Sequence, residues 1–309
     1  MRMIGAPMVN DRHQPSAAGT GEIVDLRRPA TGLTLRRVAP RGPLRAVVQC
    51  YWWARGGAGA VTSPVELLHP DGGMGLMFNV GAPLWRDGVR HVGPGWVDGP
   101  SLRSARLGVE AGLDLLGVRF LPGMGGAVLG EAPEALAEAG LMPAEALRRR
   151  SLVELHERLA AVVGFEARIA LLERHLLAGL NEVEAPPPLL GGALAWLQQR
   201  QGQGSIAELA EALSVSQRRL QRLFRGHLGL SPKQYARALR VAHGRALIKR
   251  AAGPGTLVEV AHDAGYFDQA HFVHDFTAMT GLTPSEYRRH VQWREGERGT
   301  VAPLGSTQP

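Results

Sequence analysis

Residues 206–237 read IAELAEALSVSQRRLQRLFRGHLGLSPKQYAR, and residues 257–289 read LVEVAHDAGYFDQAHFVHDFTAMTGLTPSEYRR. An offset of 52 carries Leu220 onto Phe272, Phe224 onto Phe276, Gly229 onto Gly281 and Leu230 onto Leu282. It also carries Pro232 onto Pro284, Tyr235 onto Tyr287 and Arg237 onto Arg289. So many matches at one offset, with glycines and prolines among them, read as one fold used twice. Two copies fall short of the three or so that a solenoid needs, so a paired module is expected.

In the first copy Ser205 stands three residues ahead of Glu208, the spacing of a capping box at a helix start. A turn at Ser214, Val215 and Ser216 then admits a second helix from Gln217 to about Gly226, giving a helix-turn-helix. Leu220, Leu223 and Phe224 fall on one face of that helix, while Arg218, Gln221, Arg222 and Arg225 form the opposite stripe. A polar stripe is ordinarily just a solvated face. Arginines and a glutamine on the second helix of such a unit favour base readout instead. Arginine grips guanine and glutamine grips adenine bidentately through the major groove.

The charge distribution points the same way. Residues 1–185 carry 20 Lys+Arg against 19 Asp+Glu, whereas residues 186–294 carry 14 against 7. The net +7 of the chain therefore sits almost wholly on its last third, as expected of a domain with a polyanionic partner. The one cysteine, Cys50, rules out a disulfide framework within the chain and suits a reducing compartment, so a cytoplasmic location is expected. No apolar run reaches the length of a membrane span, so no membrane partner is expected. Residues 1–22 lack an apolar signal core and read as a loose arm.

From Leu33 to about Phe120 short apolar runs alternate with Gly and Pro: AVVQCYWWA at 46–54, GLMFNV at 75–80, SARLGVE at 104–110 and LDLLGVRFL at 113–121. Runs of that length between turn signals are the mark of a β-barrel or sandwich. Two helical stretches follow, with Leu147, Leu152, Leu155 and Leu159, then Leu171, Leu172 and Leu176 as an apolar stripe. That stripe is expected to pack on the β domain, with a dimer contact as the alternative. Pro186, Pro187 and Pro188 break the chain, and the domain boundary is placed there. The expected divisions are a flexible arm 1–22, a β-rich sensing domain with its helical segment 23–185, a helical domain 186–294 with core 192–291, and a flexible tail 295–309.

Chemical handles in the β half are few. His69, Asp71 and His91 lack close ligand spacing and read as turn and loop residues around HPDGG, so no metal is expected. Trp52, Trp53, Trp85 and Trp96 are either plain core or the lining of an effector pocket in the barrel mouth. The chain contains no GxSxG, no phosphate-cradling loop ending in GK[ST] and no HExxH, so neither catalysis nor a cofactor is expected.

Residues 192–291 resemble the DNA-binding domain of the AraC/XylS family of bacterial transcription regulators, most plainly in GYFDQAHFVHDFTAMTGLTPSEYRR. The resemblance implies two helix-turn-helix units joined by a long helix, here Pro232 to about Ala251, and sequence-specific binding to double-stranded promoter DNA. YWWARG, LLHPDGGMGLMFNVG and LLGVRFLPGMGGAVLG are similar to a β-rich sensing domain found ahead of such modules. That likeness implies a cupin-like fold. The expected class is thus α+β in two domains: a β-rich cupin-like barrel followed by helices, then an all-α double helix-turn-helix domain.

Moved by 52, the reading stripe becomes Ala270, Val273, His274 and Thr277, with Gln269 beside it. No Lys or Arg lies between Arg250 and Arg288, a stretch that holds Glu259, Asp263, Asp268, Asp275 and Glu286. Such a stretch makes few phosphate contacts, because those need cations. Asp268 is expected to cap the second reading helix; Asp263 and Asp275 are expected to be solvated, or to touch the transcription machinery. Phosphate or backbone contacts are assigned to Arg219, Ser231, Lys233, Arg237, Thr283, Arg288 and Arg289, with Ser231 and Thr283 also suited to cap helices.

The reading that results is an asymmetric regulator. Its first module does most of the base readout and its second docks weakly. The expected partners are promoter DNA, RNA polymerase, an unknown small-molecule effector in the β domain and a second copy of the chain. The alternatives are an architectural or constitutive DNA binder without ligand control, and an enzyme on the β domain.

Overall fold

The computed structural model describes residues 24–28, 32–57, 65–147, 150–250 and 256–299. The expected arm 1–22 and the end of the joining helix at Ala251 lie outside them.

The N-terminal strands are β1 (Val24–Arg28), β2 (Leu33–Val38), β3 (Val48–Gly56), β4 (Val65–Leu68), β5 (Gly75–Asn79) and β6 (Leu84–Arg86). They continue with β7 (Val89–His91), β8 (Gly95–Asp98), β9 (Ala105–Gly108), β10 (Asp114–Phe120) and, after two short helices, β11 (Leu141–Pro143). The helices are α1 (Gly125–Leu129) and α2 (Pro133–Ala139), followed by α3 (Arg150–Ala161) and α4 (Phe165–Gly179). A seven-stranded antiparallel sheet has the order β1-β2-β3-β10-β5-β8-β11, and a four-stranded one the order β4-β9-β6-β7.

The large sheet is buried on both faces, which is why β5 has no exposed position. One face meets the small sheet through Leu33, Ala54, Met77, Trp96, Leu107 and Leu115. The other meets α3 and α4 through Tyr51, Phe78, Leu116, Val118 and Phe120. Leu152, Leu155, Leu159, Leu172 and Leu176 are consumed in that second core. The apolar stripe therefore packs on its own sheet, and those leucines are not available as a dimer seam.

Of the two readings of the four tryptophans, plain core or pocket lining, strand periodicity favours core and separates them. Successive side chains of a strand take opposite faces. Trp52 accordingly borders the inter-sheet core, whereas Trp53 enters the helix-facing core. There Trp53 stacks on Phe165 with ring centroids 5.6 Å apart and donates from Nε1 to Asp114. Arg168, buried on α4, holds the same carboxylate with two bonds of 3.1 Å. Trp96 is buried between the sheets. Trp85 follows Leu84, which points into that core, so Trp85 takes the outer side of β6, against Gly108. Gly117 sits opposite Trp52 on β10, and a Cβ there would lie 2.3 Å from the Trp52 ring.

The C-terminal region is all helical: α5 (Pro188–Gln199), α6 (Ile206–Ala212), α7 (Gln217–Leu228), α8 (Pro232–Arg250), α9 (Leu257–Asp263), α10 (Gln269–Thr280) and α11 (Pro284–Gly299). Pro188 opens α5, where its missing N–H costs nothing. α11 continues through Gly299, into residues expected to belong to the tail, and residues 300–309 lie outside the described part. Each module has its own core. One is built on Leu190, Leu197, Leu209, Leu220, Phe224 and Tyr235, the other on Val241, Ile248, Val260, Phe272, Phe276 and Tyr287. Burying each such side chain contributes about 1.5–3 kcal/mol, so each module has a real hydrophobic anchor.

Candidate nucleic-acid interface

Local chemistry fixes the first module. Ser205 Oγ accepts from the Glu208 N–H at 3.1 Å while the Glu208 carboxylate accepts from the Ser205 N–H at 2.6 Å. These bonds hold Glu208 below the usual carboxylate range. Ser214 takes φ 53° in the turn, and Ser216 caps α7 by accepting from the Arg219 N–H. Gly229, at φ 70°, ends α7 in the left-handed conformation that favours glycine. Leu220, Phe224 and Leu228 are buried, which turns Arg218, Gln221, Arg222 and Arg225 outward, all exposed. Arg219 is exposed beside them. The arrangement is a cationic, hydrogen-bonding ridge on a rigid helix.

The second module repeats the design. Thr256 and Glu259 make the equivalent capping box, and Asp268 caps α10 by accepting from the His271 N–H at 2.7 Å. Ser231 pairs with Gln234, and Thr283 with Glu286, at the starts of α8 and α11. Both residues are thus engaged as caps, as their place before proline suggests. Gln269, Ala270 and His274 are exposed, and Val273 and Thr277 are half-buried. The Thr277 hydroxyl oxygen is shielded from solvent, so what Thr277 presents outward is not its hydroxyl.

Two features escaped the sequence reading. The first is that Asp275 is not solvated. It is buried on α10 and pairs with Arg237 of α8 at 2.9 Å, with His271 and His274 within 3.6 Å. Both expectations for Asp275, solvation and contact with the transcription machinery, are corrected by this burial. Arg237, assigned to phosphate, is turned to that carboxylate. Tyr266 lies in the same cluster under the Arg240 guanidinium, and burial pushes its hydroxyl up to about 12. Helix α8 thus brings cations to a module that has no Lys or Arg of its own ahead of Arg288, and charge counting along the chain does not reveal it. Lys233 and Arg289 are exposed and Arg288 is half-buried, while Asp263 is exposed.

The second feature is that the offset of 52 does not hold throughout. Helix α6 maps onto α9 at 51, and only from α7 onward does 52 apply. The paired capping boxes, Ser205–Glu208 and Thr256–Glu259, already carried that signal in the sequence.

The N-terminal domain touches both modules. Leu102 packs against both C-terminal cores. Ser104 donates from its N–H to the Met279 carbonyl at 2.7 Å and from its hydroxyl to the same oxygen at 3.0 Å. His69 Nδ1 lies 2.8 Å from Ser104 Oγ, and the His69 ring meets Tyr287 edge-on at 5.6 Å. α2 packs on the last turn of α7, so closely that a Cβ on Gly229 would lie 2.4 Å from the Pro133 carbonyl oxygen. In HPDGG, His69 and Asp71 have structural partners: Asp71 accepts from the Gly73 N–H and is gripped by Arg119. His91 stands edge-on to Trp96. Among the described residues no group of three or more His, Cys, Asp or Glu could hold a metal, and no helix is long and apolar enough to cross a membrane.

Two capped helix-turn-helix units on a shared long helix define the C-terminal region as a double helix-turn-helix domain. Residues 209–290 match a family described as a helix-turn-helix domain, and residues 36–141 match a domain family of unknown function, DUF6597. The chain is 31% identical over 121 residues to an uncharacterised HTH-type transcriptional regulator of Haemophilus influenzae, covering 39% of each. It is 29% identical over 122 residues to the HTH-type transcriptional activator RhaS of Escherichia fergusonii, covering 39% of this chain and 42% of that one. It thus spans about two fifths of the length of these curated relatives. Among solved structures it is similar to the C-terminal domain of AraT, a response regulator from Geobacillus stearothermophilus. That match has 27% identity and a TM-score of 0.33, over 35% of this chain and 88% of that one. Residues 209–290 are thus a helix-turn-helix domain similar to those of HTH-type transcriptional regulators.

Proposed function

We propose that this chain is a sequence-specific DNA-binding transcription regulator whose first helix-turn-helix does most of the base readout. The observation that carries this reading is the exposed row Arg218, Gln221, Arg222 and Arg225 on a helix whose other face is locked into a core. Arginine and glutamine on such a helix match the major-groove edges of guanine and adenine. The second module has no cation on its own reading helix and contributes shape and apolar contacts. The domain division at 186–188 goes with this reading.

The β domain is proposed to hold a small-molecule effector. Support comes from its position: Leu102 packs on both modules while Ser104 and His69 contact the second, so a ligand that distinguishes two placements of this domain would shift their orientation. The test is a binding titration at fixed salt on duplexes selected from a random pool. Arg222→Ala should weaken specific binding by about 1–3 kcal/mol, the loss of one bidentate contact, and His274→Ala should change it little. Equal losses from the two substitutions would refute the asymmetry, and a pool that yields no preferred sequence would refute the function.

A further inference from the structure

The turn of the second module carries one residue more than that of the first. From the left-handed residue to the helix cap, the first runs Ser214, Val215, Ser216, and the second Gly265, Tyr266, Phe267, Asp268. Val215 packs partly buried against its core. Tyr266 takes that place in the second module, its ring 5.3 Å from Phe272. Phe267 is the residue left over, and it is 100% exposed. It stands directly ahead of the cap of α10, at the end of the helix that enters the groove in helix-turn-helix complexes.

We propose that Phe267 is a specificity residue of the second module, packing on the C5-methyl groups of thymines in the major groove. The inference rests on the DNA-binding reading above. Its neighbours support an apolar occupant: Ala270 is exposed, Val273 is half-exposed, and Thr277 keeps its hydroxyl inward. No Lys or Arg lies between Arg250 and Arg288 to read guanine, whereas Phe, Ala and the Thr methyl all suit the thymine methyl. A shape-only second module would not require a phenyl ring held entirely in water at this position.

The test uses the full chain and a duplex that it selects from a random pool. Each thymine is replaced in turn by deoxyuridine, which removes the methyl alone, and affinity is read by fluorescence anisotropy. At one or two thymines outside the stretch governed by Arg222, uracil should weaken wild-type binding roughly fourfold, the effect of one buried methylene-sized group. Phe267→Ala should weaken binding by a similar factor and be insensitive to uracil at those positions, with an unchanged melting temperature. Wild-type indifference to uracil everywhere overturns the proposal, as does a Phe267→Ala protein that keeps the full methyl sensitivity. A Phe267→Ala protein with normal DNA affinity and reduced transcriptional output also overturns it, in favour of a protein partner. If no sequence is enriched at all, the DNA-binding reading falls first.

Discussion

Arg237 of α8 and Asp275 of α10 meet at 2.9 Å, tying the helix shared by the two modules to the second helix of the second helix-turn-helix. Asp275 is only 6% exposed and Arg237 30%, so the two partners have unequal access to water. Arg237→Met would strand a buried carboxylate and should cost about 3–5 kcal/mol. Asp275→Leu leaves a guanidinium that still reaches water, and should cost less. The double variant should recover much of the loss, since apolar replacement of a buried pair is often neutral. Urea denaturation of the four proteins measures the coupling.

The same pair bears on how DNA affinity depends on salt. Lys233 and Arg289 are exposed. Replacing either by alanine should lower the magnitude of the slope of log K against log salt by about 1, if it neutralises a phosphate. Arg237→Ala should leave the slope nearly unchanged, because its charge is turned to Asp275. A slope change as large for Arg237 as for Lys233 would return Arg237 to the phosphate contacts.

Alkaline pH should unfold the helical domain. Burial pushes the hydroxyls of Tyr235 and Tyr266 up to about 12. Between their ordinary value near 10 and about 12 the unfolded chain has lost these protons and the folded chain has not. Stability therefore falls as pH rises through that window and is fully retained below it. Each tyrosine adds about 1.4 kcal/mol per pH unit to the fall, so Tyr266→Phe should flatten it by that amount. Denaturation midpoints from pH 9 to 12 provide the measurement.

Leu102 packs on the cores of both modules, and Ser104 anchors the same segment to Met279. Leu102→Ala should cost about 1–2 kcal/mol and loosen the coupling between domains. Calorimetry should then resolve separate transitions where the wild type melts more cooperatively. An unchanged single transition would mean that the coupling lies elsewhere, in α2 against α7.

The first module was largely legible in the sequence because its determinants are local. Ser205, Ser216 and Gly229 mark the ends of helices, and Leu220 and Phe224 set the buried face. The strands from Val48 onward were legible as short apolar runs, yet Trp52 and Trp53 were left open between core and pocket lining until strand alternation sent them to opposite faces. Asp275 was misread because its partner lies 38 positions earlier, on another helix, where charge counting along the chain has no reach. The extra residue at Phe267 was concealed by an offset that fits everything from Leu220 onward. The contacts of Leu102 and Ser104 had no local signal at all.

Those contacts also make the β domain a caliper. Since one loop of it rests on both modules, the span between α7 and α10 is set by that loop together with α8. Half-sites are most readily read when separated by whole turns of about 10–10.5 base pairs. A chain that keeps Leu102 and Ser104 should therefore tolerate little change in operator spacing, and one that loses them should accept a wider range of spacings at lower affinity.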